Sequence, residues 1–319
     1  MPSESSDALA AGWGFDPPRL SMARRLAGLD VDGLAEVVGH PVEDYELGRD
    51  RPTADVLRTW ARTLGVAPDF FVAGRPRLHL DLTRTSLTRR ANRADSARAG
   101  AFLELLWEVL CAVDDHVELP PSNLACRAPT PAALARGVRL DWRAPRGPLP
   151  HLTAHLEARG IMVVPFPGPA FSALLPGRAV IALDPRLPGP ERRWAAAVEF
   201  GGLLLGVGTS PDAGAAAFAA ELLLPAAELT PRTDLTGLAT RYGVPLPRLL
   251  DRCRALGLPR RPADPAEDLG DETPRLLADA VALAFDDPVR ALAERLRTGP
   301  KLLRGLLTGT PEQHLTVVR

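Results

Sequence analysis

The chain has 319 residues, which is enough for two domains that each bury a core. Apolar residues make up 46% and charged residues 24%, and the formal net charge is −1, so the charge of the whole chain favours neither nucleic acid nor a membrane surface as a partner. The three cysteines are far apart and form no C-x-x-C pair, which indicates free thiols and a cytoplasmic location. The N-terminus lacks the basic and apolar regions of a signal peptide.

The most apolar run of the chain is residues 194–208, and it contains Glu199. It is shorter than the roughly 20 residues that a membrane-spanning helix needs. The run therefore predicts a buried core helix, and we expect no membrane association.

The N-terminal part reads as a flexible lead over 1–18, a compact helical block over 19–75 and a polar, basic linker over 76–95. Apolar residues recur at helical spacing in the block, for example at Leu57, Trp60, Ala61 and Leu64. Glycines stand where its helices are expected to end: Gly39, Gly48 and Gly65.

The rest of the chain changes its periodicity midway. Helices are predicted at 96–117, 131–140 and 149–159, followed by β-branched strands at 161–165 and 178–183 and an edge strand at 170–175. Further helices are predicted at 190–206, 213–224, 234–242, 245–256 and within 274–307. The pattern indicates an α+β protein that is predominantly α, with a second domain over 96–230 and a helical C-terminal region over 231–319.

The block over 19–75 resembles the Cro/C1 (XRE-type) helix-turn-helix family. The resemblance rests on Leu34, Ala35, Glu36, Gly39, Tyr45, Glu46, Gly48, Arg49, Pro52, Leu57, Ala61, Leu64, Gly65 and Val66. It implies a domain of four or five helices whose third helix enters the major groove of DNA. By position, His40, Arg49 and Arg51 are the candidate DNA-contacting residues.

The same block departs from that family in its third helix. Five residues separate Gly39 from Tyr45, fewer than the family usually has, so almost one helical turn is missing. The remaining residues include Glu43 and Asp44, and the block carries eight Arg against nine acidic residues. Two hypotheses stay open: a DNA reader, acting weakly or as a dimer, and a packing and dimerisation module.

The linker region is more basic than the block. Residues 76–100 carry six Arg against Asp81 and Asp95, a net charge of +4. Such a segment could contact phosphate, or it could be a solvated tether.

Residues 148–225 resemble the ImmA/IrrE family of metallopeptidase-like domains, which commonly follow a Cro/C1-type domain in bacterial regulators. The resemblance rests on the strands IMVV and RAVIALDP, the helix PERRWAAAVEFGGLLLG, and the segment FAAELLLP at 218–225. It implies a zincin-like domain with a small sheet, in which H-E-x-x-H and a glutamate of the next helix hold zinc.

This chain has V-E-F-G-G where that family has H-E-x-x-H. Val198 and Gly202 take the places of the two histidines, Gly214 takes the place of the third ligand, and Glu199, the family's general base, is retained. None of these three positions supplies a donor atom for Zn²⁺. We therefore expect a pseudoenzyme with no metal, and Glu199 as a remnant that is neutralised or paired with an arginine.

A second pair of histidines is spaced like a metal site. His151 and His155 lie four residues apart on a predicted helix, but no third ligand is identifiable, and a solvated helix face explains them as well. The chain also has no phosphate-binding loop, dinucleotide fingerprint or nucleophile elbow, so we expect no cofactor.

Together these features predict a DNA-binding transcriptional regulator whose C-terminal domain is an inactive sensor or docking module. The expected partners are DNA, a second copy of the chain, and a protein, peptide or small molecule at the former peptidase cleft. One alternative is a protein–protein adaptor that has lost DNA binding. The other is an active zinc metallopeptidase.

Overall fold

The computed structural model describes residues 14–78, 85–89, 91–126, 128–206, 212–230, 235–258 and 272–308. Side chains are described in these ranges except at 88, 89, 212, 235 and 236. The chain divides into two compact units. Unit 1 comprises Met1–Leu82, Arg90–Leu119 and Ala278–Arg319, and unit 2 comprises Thr83–Arg89 and Pro120–Leu277.

The protein is mainly helical with one small sheet, as the sequence predicts. Unit 1 contains α1 (Pro17–Leu26), α2 (Val31–Val38), α3 (Glu43–Glu46), α4 (Ala54–Leu64), α5 (Arg93–Asp114), α13 (Pro288–Leu296) and α14 (Pro300–Thr308). Unit 2 contains α6 (Pro131–Asp141), α7 (Leu152–Glu157), β1 (Met162–Pro165), β2 (Phe171–Leu175), β3 (Arg178–Leu183), α8 (Gly189–Leu205), α9 (Asp212–Leu223), α10 (Leu235–Tyr242) and α11 (Leu246–Ala255). Helix α12 (Leu276–Ala284) spans the point in the chain where unit 2 ends and unit 1 resumes.

The short helices of unit 1 are set by local caps. Asp30 accepts a hydrogen bond from the Gly33 amide at the start of α2, and the Thr53 side chain accepts one from the Val56 amide at the start of α4. Both helices end at a glycine in the left-handed conformation, Gly39 with φ 76° and Gly65 with φ 68°, which other residues adopt only with strain.

Long-range ion pairs join α1 to α5 inside unit 1. The Arg19 guanidinium lies 2.8 Å from Glu108 Oε1, and its side chain and that of Glu108 are 5% and 4% exposed. The Arg25 guanidinium lies 2.8 Å from Oε2 of Glu104, which is equally buried. Burying a carboxylate is costly unless it is paired, so these contacts fix α5 against α1.

The sheet of unit 2 has the order β1-β3-β2. Strand β1 runs parallel to β3, in register from Met162 opposite Val180, and β2 runs antiparallel to β3, from Phe171 opposite Ala182. The predicted edge strand is confirmed as β2, which stands at the edge of the three-stranded sheet next to β3. The strands are almost wholly buried, in keeping with their β-branched and aromatic residues.

The core of unit 2 packs the sheet against α7 and α8, and packs α9 against α6 and α8. Its largest fully buried side chains include Phe171, Phe200, Phe218 and Tyr242. Arg139 is buried as well and donates to the carbonyls of Leu222 and Gly147; burial lowers the pKa of its guanidinium from the usual value. These contacts hold α6 against α9.

The two units differ in their boundaries from the predicted domains. Helix α5, predicted as the start of the second domain at 96, belongs to unit 1, because its buried glutamates pair with arginines of α1. The predicted C-terminal region over 231–319 is divided, with 231–277 in unit 2 and 278–319 in unit 1. The predicted lead over 1–18 lies outside the described residues as far as residue 13, and α1 begins at Pro17.

No helix in the described ranges combines the length and the apolar character that crossing a lipid bilayer requires.

Candidate functional site

The V-E-F-G-G segment lies in the second half of α8 and presents its residues to different neighbours. Phe200 is fully buried, and its ring meets that of Phe218 on α9 at 5.6 Å in an edge-on arrangement. Glu199 is 2% exposed and turns toward β2. The segment is therefore part of the core on one side and of a polar cluster on the other.

Glu199 is the centre of that cluster. Its Oε2 accepts hydrogen bonds from the hydroxyls of Ser86, at 2.7 Å, and Ser172, at 2.8 Å. The Ser86 hydroxyl in turn accepts a hydrogen bond from the Ser172 amide at 2.9 Å. We call these three residues the Glu199 cluster. The carboxylate is thus held by hydroxyl donors, which the sequence did not foresee.

Val198, Gly202 and Gly214 stand where the resemblance would place zinc ligands. They lie on α8 and α9, which pack against each other. Val198 is almost buried, and Gly202 and Gly214 are partly exposed. A Cβ added at Gly202 would meet the Ser172 hydroxyl at 3.9 Å, an ordinary van der Waals distance, so this position lies beside the Glu199 cluster. Among the described residues, no three His, Cys, Asp or Glu side chains are grouped so that they could hold a metal ion.

Gly201 serves packing rather than the cluster. A Cβ added there would lie 2.7 Å from Cδ1 of Phe218 and 3.1 Å from the Ala215 carbonyl oxygen, both on α9. The absence of a side chain at Gly201 therefore lets the two helices approach closely. Of the two glycines, Gly202 is the one that lies beside the Glu199 cluster.

A short piece of the predicted linker supplies the third member of the cluster. Thr85 forms an antiparallel bridge with Ala173 on the free side of β2, and a 3-10 turn, Ser86–Arg89, follows it. Thr85 is fully buried and Leu87 is 1% exposed. We call residues 85–89 the inserted segment.

The hypothesis of a solvated tether is therefore wrong for residues 85–87, because Thr85 and Leu87 are buried and the half-buried Ser86 donates to Glu199. The side chains of Arg84, Arg89 and Arg90, which carry much of the linker's charge, lie outside the described residues.

The geometry of the cluster suits anchoring better than catalysis. Both serine hydroxyls donate to the same carboxylate oxygen, and Ser172 is fully buried. A serine nucleophile needs a base and room for a substrate carbonyl beside the hydroxyl. The Ser172 hydroxyl has no such room, and that of Ser86 is engaged both as donor and as acceptor.

The two spaced histidines do not converge on a metal site. The His155 ring stacks on Trp142 at 4.8 Å, and Trp142 stacks on Phe200 at 5.6 Å. Burial lowers the pKa of His155 below its ordinary value. His151 is exposed and stands at the N-cap position of α7, where its side chain makes no capping hydrogen bond. His155 is therefore a packing residue behind the V-E-F-G-G segment.

Glu221, the other acidic residue close to this segment in sequence, has a structural role. It is 4% exposed and forms ion pairs with Arg136 and Arg252. These contacts join α9 to α6 and α11.

In unit 1 the helix that the sequence predicts to contact DNA is very short. Helix α3 contains only Glu43–Glu46, and the side chains of Glu43 and Asp44 are exposed. Two further acidic residues, Asp32 and Glu36, are exposed on α2. We call these four residues the acidic surface.

Apolar side chains are exposed on the same two elements and at their ends. Val37 of α2 is 48% exposed and Leu47, which follows α3, is 54% exposed. A groove of about 390 Å³ runs between α2 and the start of α3, and its lining includes Asp32, Ala35 and Glu43.

The three candidate DNA-contacting residues have different surroundings. Arg49 is exposed, but its guanidinium lies 3.3 Å from the Asp44 carboxylate. The ring of His40 packs 5.9 Å from Trp60 and 6.1 Å from Tyr45 and also lines the groove. Arg51 is exposed. The structure places all three on unit 1 but gives only Arg51 a freely presented charge within the described part of the chain.

The arginines of α1 do not add positive charge to this surface. Arg19 and Arg25 pair with glutamates of α5, and Arg24 pairs with Glu46 at 2.6 Å, with both side chains 11% exposed. The exposed electrostatics of α2 and α3 are therefore dominated by carboxylates.

No family model matches the chain, and neither a curated protein nor a solved structure matches it.

Sequence reasoning singled out Glu199 and missed Ser86 and Ser172. Ser86 lies 113 residues before Glu199 in a segment whose composition indicates a linker, and Ser172 lies in a short strand with no polar pattern. The one available signal was the run Thr-Ser-Leu at 85–87, in which hydroxyl and apolar residues interrupt the arginines.

Proposed function

We propose that the protein is a non-catalytic regulator that works by docking other proteins, with the Glu199 cluster of unit 2 as its peptide-binding site. Unit 1 would be the adaptor that carries this site to its target. The proposal joins the two expectations of the sequence that the geometry supports best: a pseudoenzyme, and an adaptor in place of a DNA reader.

The observation that carries the proposal is the state of Glu199. Its Oε2 accepts from two serine hydroxyls within a site that is 2% exposed, while Val198, Gly202 and Gly214 offer no donor atom. A general base must reach the water or substrate group that it activates, whereas both hydroxyls on Glu199 belong to the protein's own buried or half-buried serines. A carboxylate held in this way is better suited to anchor hydroxyl groups of a peptide.

The acidic surface supports a protein partner rather than DNA for unit 1. Binding to duplex DNA depends on Lys and Arg that neutralise phosphates. The exposed carboxylates of Glu43 and Asp44 would repel phosphates, and the Arg49 guanidinium is already paired with Asp44. A basic protein segment complements the same surface.

A cleavage assay tests the absence of catalysis. The full chain is incubated with a mixed peptide library, with and without added Zn²⁺, and new termini are read by mass spectrometry. The matched control is Glu199→Gln, which keeps the size and hydrogen-bonding capacity of the side chain but removes its basicity. We expect the two proteins to give the same background. Cleavage by the wild type that disappears in Glu199→Gln would overturn the proposal.

DNA binding is the second candidate, because Arg51 presents an exposed charge beside the acidic surface. Fluorescence anisotropy of a labelled mixed-sequence duplex, titrated at low and then at physiological salt, separates the two candidates. We expect no saturable binding at low salt. Saturable, salt-sensitive binding that weakens in the double variant Arg49→Ala/Arg51→Ala would establish DNA as the partner of unit 1.

A further inference from the structure

A cleft lies within unit 1, between the start of α13, the turn that joins α13 to α14, and the 3-10 turn Pro68–Val72. Its volume is about 530 Å³, which falls in the range of roughly 300–1,000 Å³ that is usual for small-molecule sites. We call it the α13–α14 cleft. Its lining residues come from 67–69 and 287–304, so it is separate from the groove beside α2 and from the Glu199 cluster.

The turn between α13 and α14 is held by close backbone contacts. Arg297 adopts the left-handed conformation with φ 52°, and the Thr298 amide donates to the Ala293 carbonyl at 3.0 Å. A Cβ added at Gly299 would lie 2.5 Å from the Gly65 carbonyl oxygen, so the turn meets the end of α4 at a distance that requires glycine. This wall of the cleft is therefore part of the fold.

The lining combines apolar residues with charges of both signs. Ala67 and Val289 are half-buried, and Ala293 is 7% exposed. The charged residues are three acidic and three basic: Asp69, Asp287, Glu294, Arg290, Arg297 and Arg304. Because these charges balance, the lining favours neither a simple anion nor a simple cation.

Several of these charged groups are already engaged within the fold. The Arg290 guanidinium lies 2.9 Å from the Glu294 carboxylate. The Asp287 carboxylate caps α13 by accepting from the Arg290 amide, and the Arg297 guanidinium donates to the Val72 carbonyl at 3.2 Å. These groups shape the cleft and leave others for a ligand.

Three polar groups of the lining have no hydrogen-bond or ionic partner within the described ranges: the half-buried Asp69 carboxylate, the exposed Arg304 guanidinium and the Thr298 hydroxyl. Thr298 is 2% exposed, and a buried hydroxyl without a partner is rare in folded proteins and costly. The groups that remain for a ligand are therefore one anion, one cation and one hydroxyl.

We propose that the α13–α14 cleft binds a free α-amino acid with an aliphatic side chain. The carboxylate of the ligand pairs with Arg304, its ammonium group pairs with Asp69, and the Thr298 hydroxyl completes the polar contacts. The aliphatic side chain packs against Val289 and Ala293. A zwitterion matches a lining whose own charges balance, and the site is independent of docking at the Glu199 cluster.

Isothermal titration calorimetry of the full chain with L-leucine and with L-valine tests the site. Two analogues separate the charges of the ligand: N-acetyl-L-leucine lacks the ammonium group, and L-leucinamide lacks the carboxylate. We expect each analogue to bind about tenfold or more weakly than leucine, because each loses a hydrogen bond to a charged group. Absence of saturable binding of both amino acids, or equal binding of leucine and its analogues, would overturn the inference.

Variants of the two unpaired charges place the ligand in the cleft. We expect Asp69→Asn and Arg304→Gln each to weaken leucine binding about tenfold or more. The matched controls are Asp55→Asn and Arg58→Gln, the same changes in an exposed ion pair of α4 away from the cleft, and Glu199→Gln in the other unit. All three controls should bind leucine as the wild type does. Unchanged binding by both cleft variants, or its loss in Glu199→Gln, would place leucine elsewhere and overturn the inference.

Thr298→Val distinguishes a binding role of the hydroxyl from a structural one. The variant keeps the branched shape and removes a hydroxyl that has no partner among the described residues, so its stability in urea should equal or exceed that of the wild type. We expect its leucine binding to weaken about threefold or more. Unchanged leucine binding by this variant would remove the hydroxyl from the site and contradict the inference.

Discussion

The two units satisfy their buried carboxylates in different ways. In unit 1, Glu104 and Glu108 are each 3% exposed and meet the guanidinium groups of Arg25 and Arg19. In unit 2, Glu199 is 2% exposed and accepts from the hydroxyls of two serines. Similar burial is thus combined with guanidinium donors in unit 1 and with two serine hydroxyls among the described donors in unit 2.

The difference bears on which contacts can be exchanged. Removing the guanidinium from a buried ion pair strands a charge in the core, so the pairs of unit 1 fix α1 and α5 together. A hydroxyl can be replaced at Glu199 by another hydroxyl with no change in charge. The ion pairs are therefore suited to a structural role, whereas we propose a binding role for the Glu199 cluster.

The largest expected effect concerns the ion pairs of unit 1. Glu108→Gln leaves the Arg19 guanidinium buried beside a neutral side chain, and we expect it to lower the free energy of unfolding by about 3 kcal/mol, measured by urea denaturation. The control is Asp44→Asn, the same chemical change in an exposed pair, with an expected loss of no more than about 0.5 kcal/mol. Equal losses in the two variants would remove the contrast between the units.

A pair of adjacent glycines tests the division of α8 into a packing side and a cluster side. Gly201→Ala drives a methyl group into Phe218 and the Ala215 carbonyl, so we expect a loss of about 1–3 kcal/mol. Gly202→Ala meets only the Ser172 hydroxyl at van der Waals distance, and its higher helix propensity is expected to raise stability by about 0.5–1 kcal/mol. The reverse order in thermal unfolding would contradict the placement of these two positions.

The hydroxyl donors of the Glu199 cluster are expected to contribute less than the ion pairs. Ser172→Ala removes one hydrogen bond to the carboxylate, and we expect a loss of about 1–2 kcal/mol by urea denaturation. Ser96→Ala, on a helix in unit 1, serves as the control and should leave stability unchanged or slightly raised. A loss at Ser172 as large as that of Glu108→Gln would show that Glu199 is held as rigidly as the ion-paired glutamates.

The smallest effect is a dependence on pH that arises in unit 2. Burial lowers the pKa of His155 in the folded state, so the unfolded state binds this proton more readily. The free energy of unfolding is therefore not reduced by this histidine above its unfolded pKa of about 6.5, and it decreases as the pH falls below that value.

His155→Phe keeps a ring against Trp142 that cannot be protonated. We expect its thermal midpoint to fall less than that of the wild type between about pH 7.5 and pH 5.5, while His151→Gln behaves as the wild type. Identical slopes for wild type and His155→Phe would show that this histidine does not contribute.

Local signals in the sequence were sufficient for most of the elements. Capping residues such as Asp30 and Gly39, or Thr53 and Gly65, stand directly at the two ends of their helix. They can therefore be recognised from the sequence alone. The strands of unit 2 were found because β-branched residues fill them between turn-forming residues.

Contacts between distant parts of the chain could not be predicted from the sequence in this way. Helix α5 lies in unit 1, where Glu108 meets Arg19, 89 residues away, and nothing in either helix alone identifies the partner. Burial of the inserted segment depends likewise on a strand edge that exists only once the sheet has formed. Glu199 could be singled out from the sequence, but the serine donors to its carboxylate could not.

We propose that Glu199, which accepts hydrogen bonds from two serine hydroxyls, takes part in docking and does not belong to a metal site. Metal analysis tests it most directly. The purified full chain is equilibrated with Zn²⁺, freed of excess metal by gel filtration, and assayed for zinc beside Glu199→Gln. We predict a zinc content far below one ion per chain in both proteins. Stoichiometric zinc in the wild type that is lost in Glu199→Gln would contradict the account.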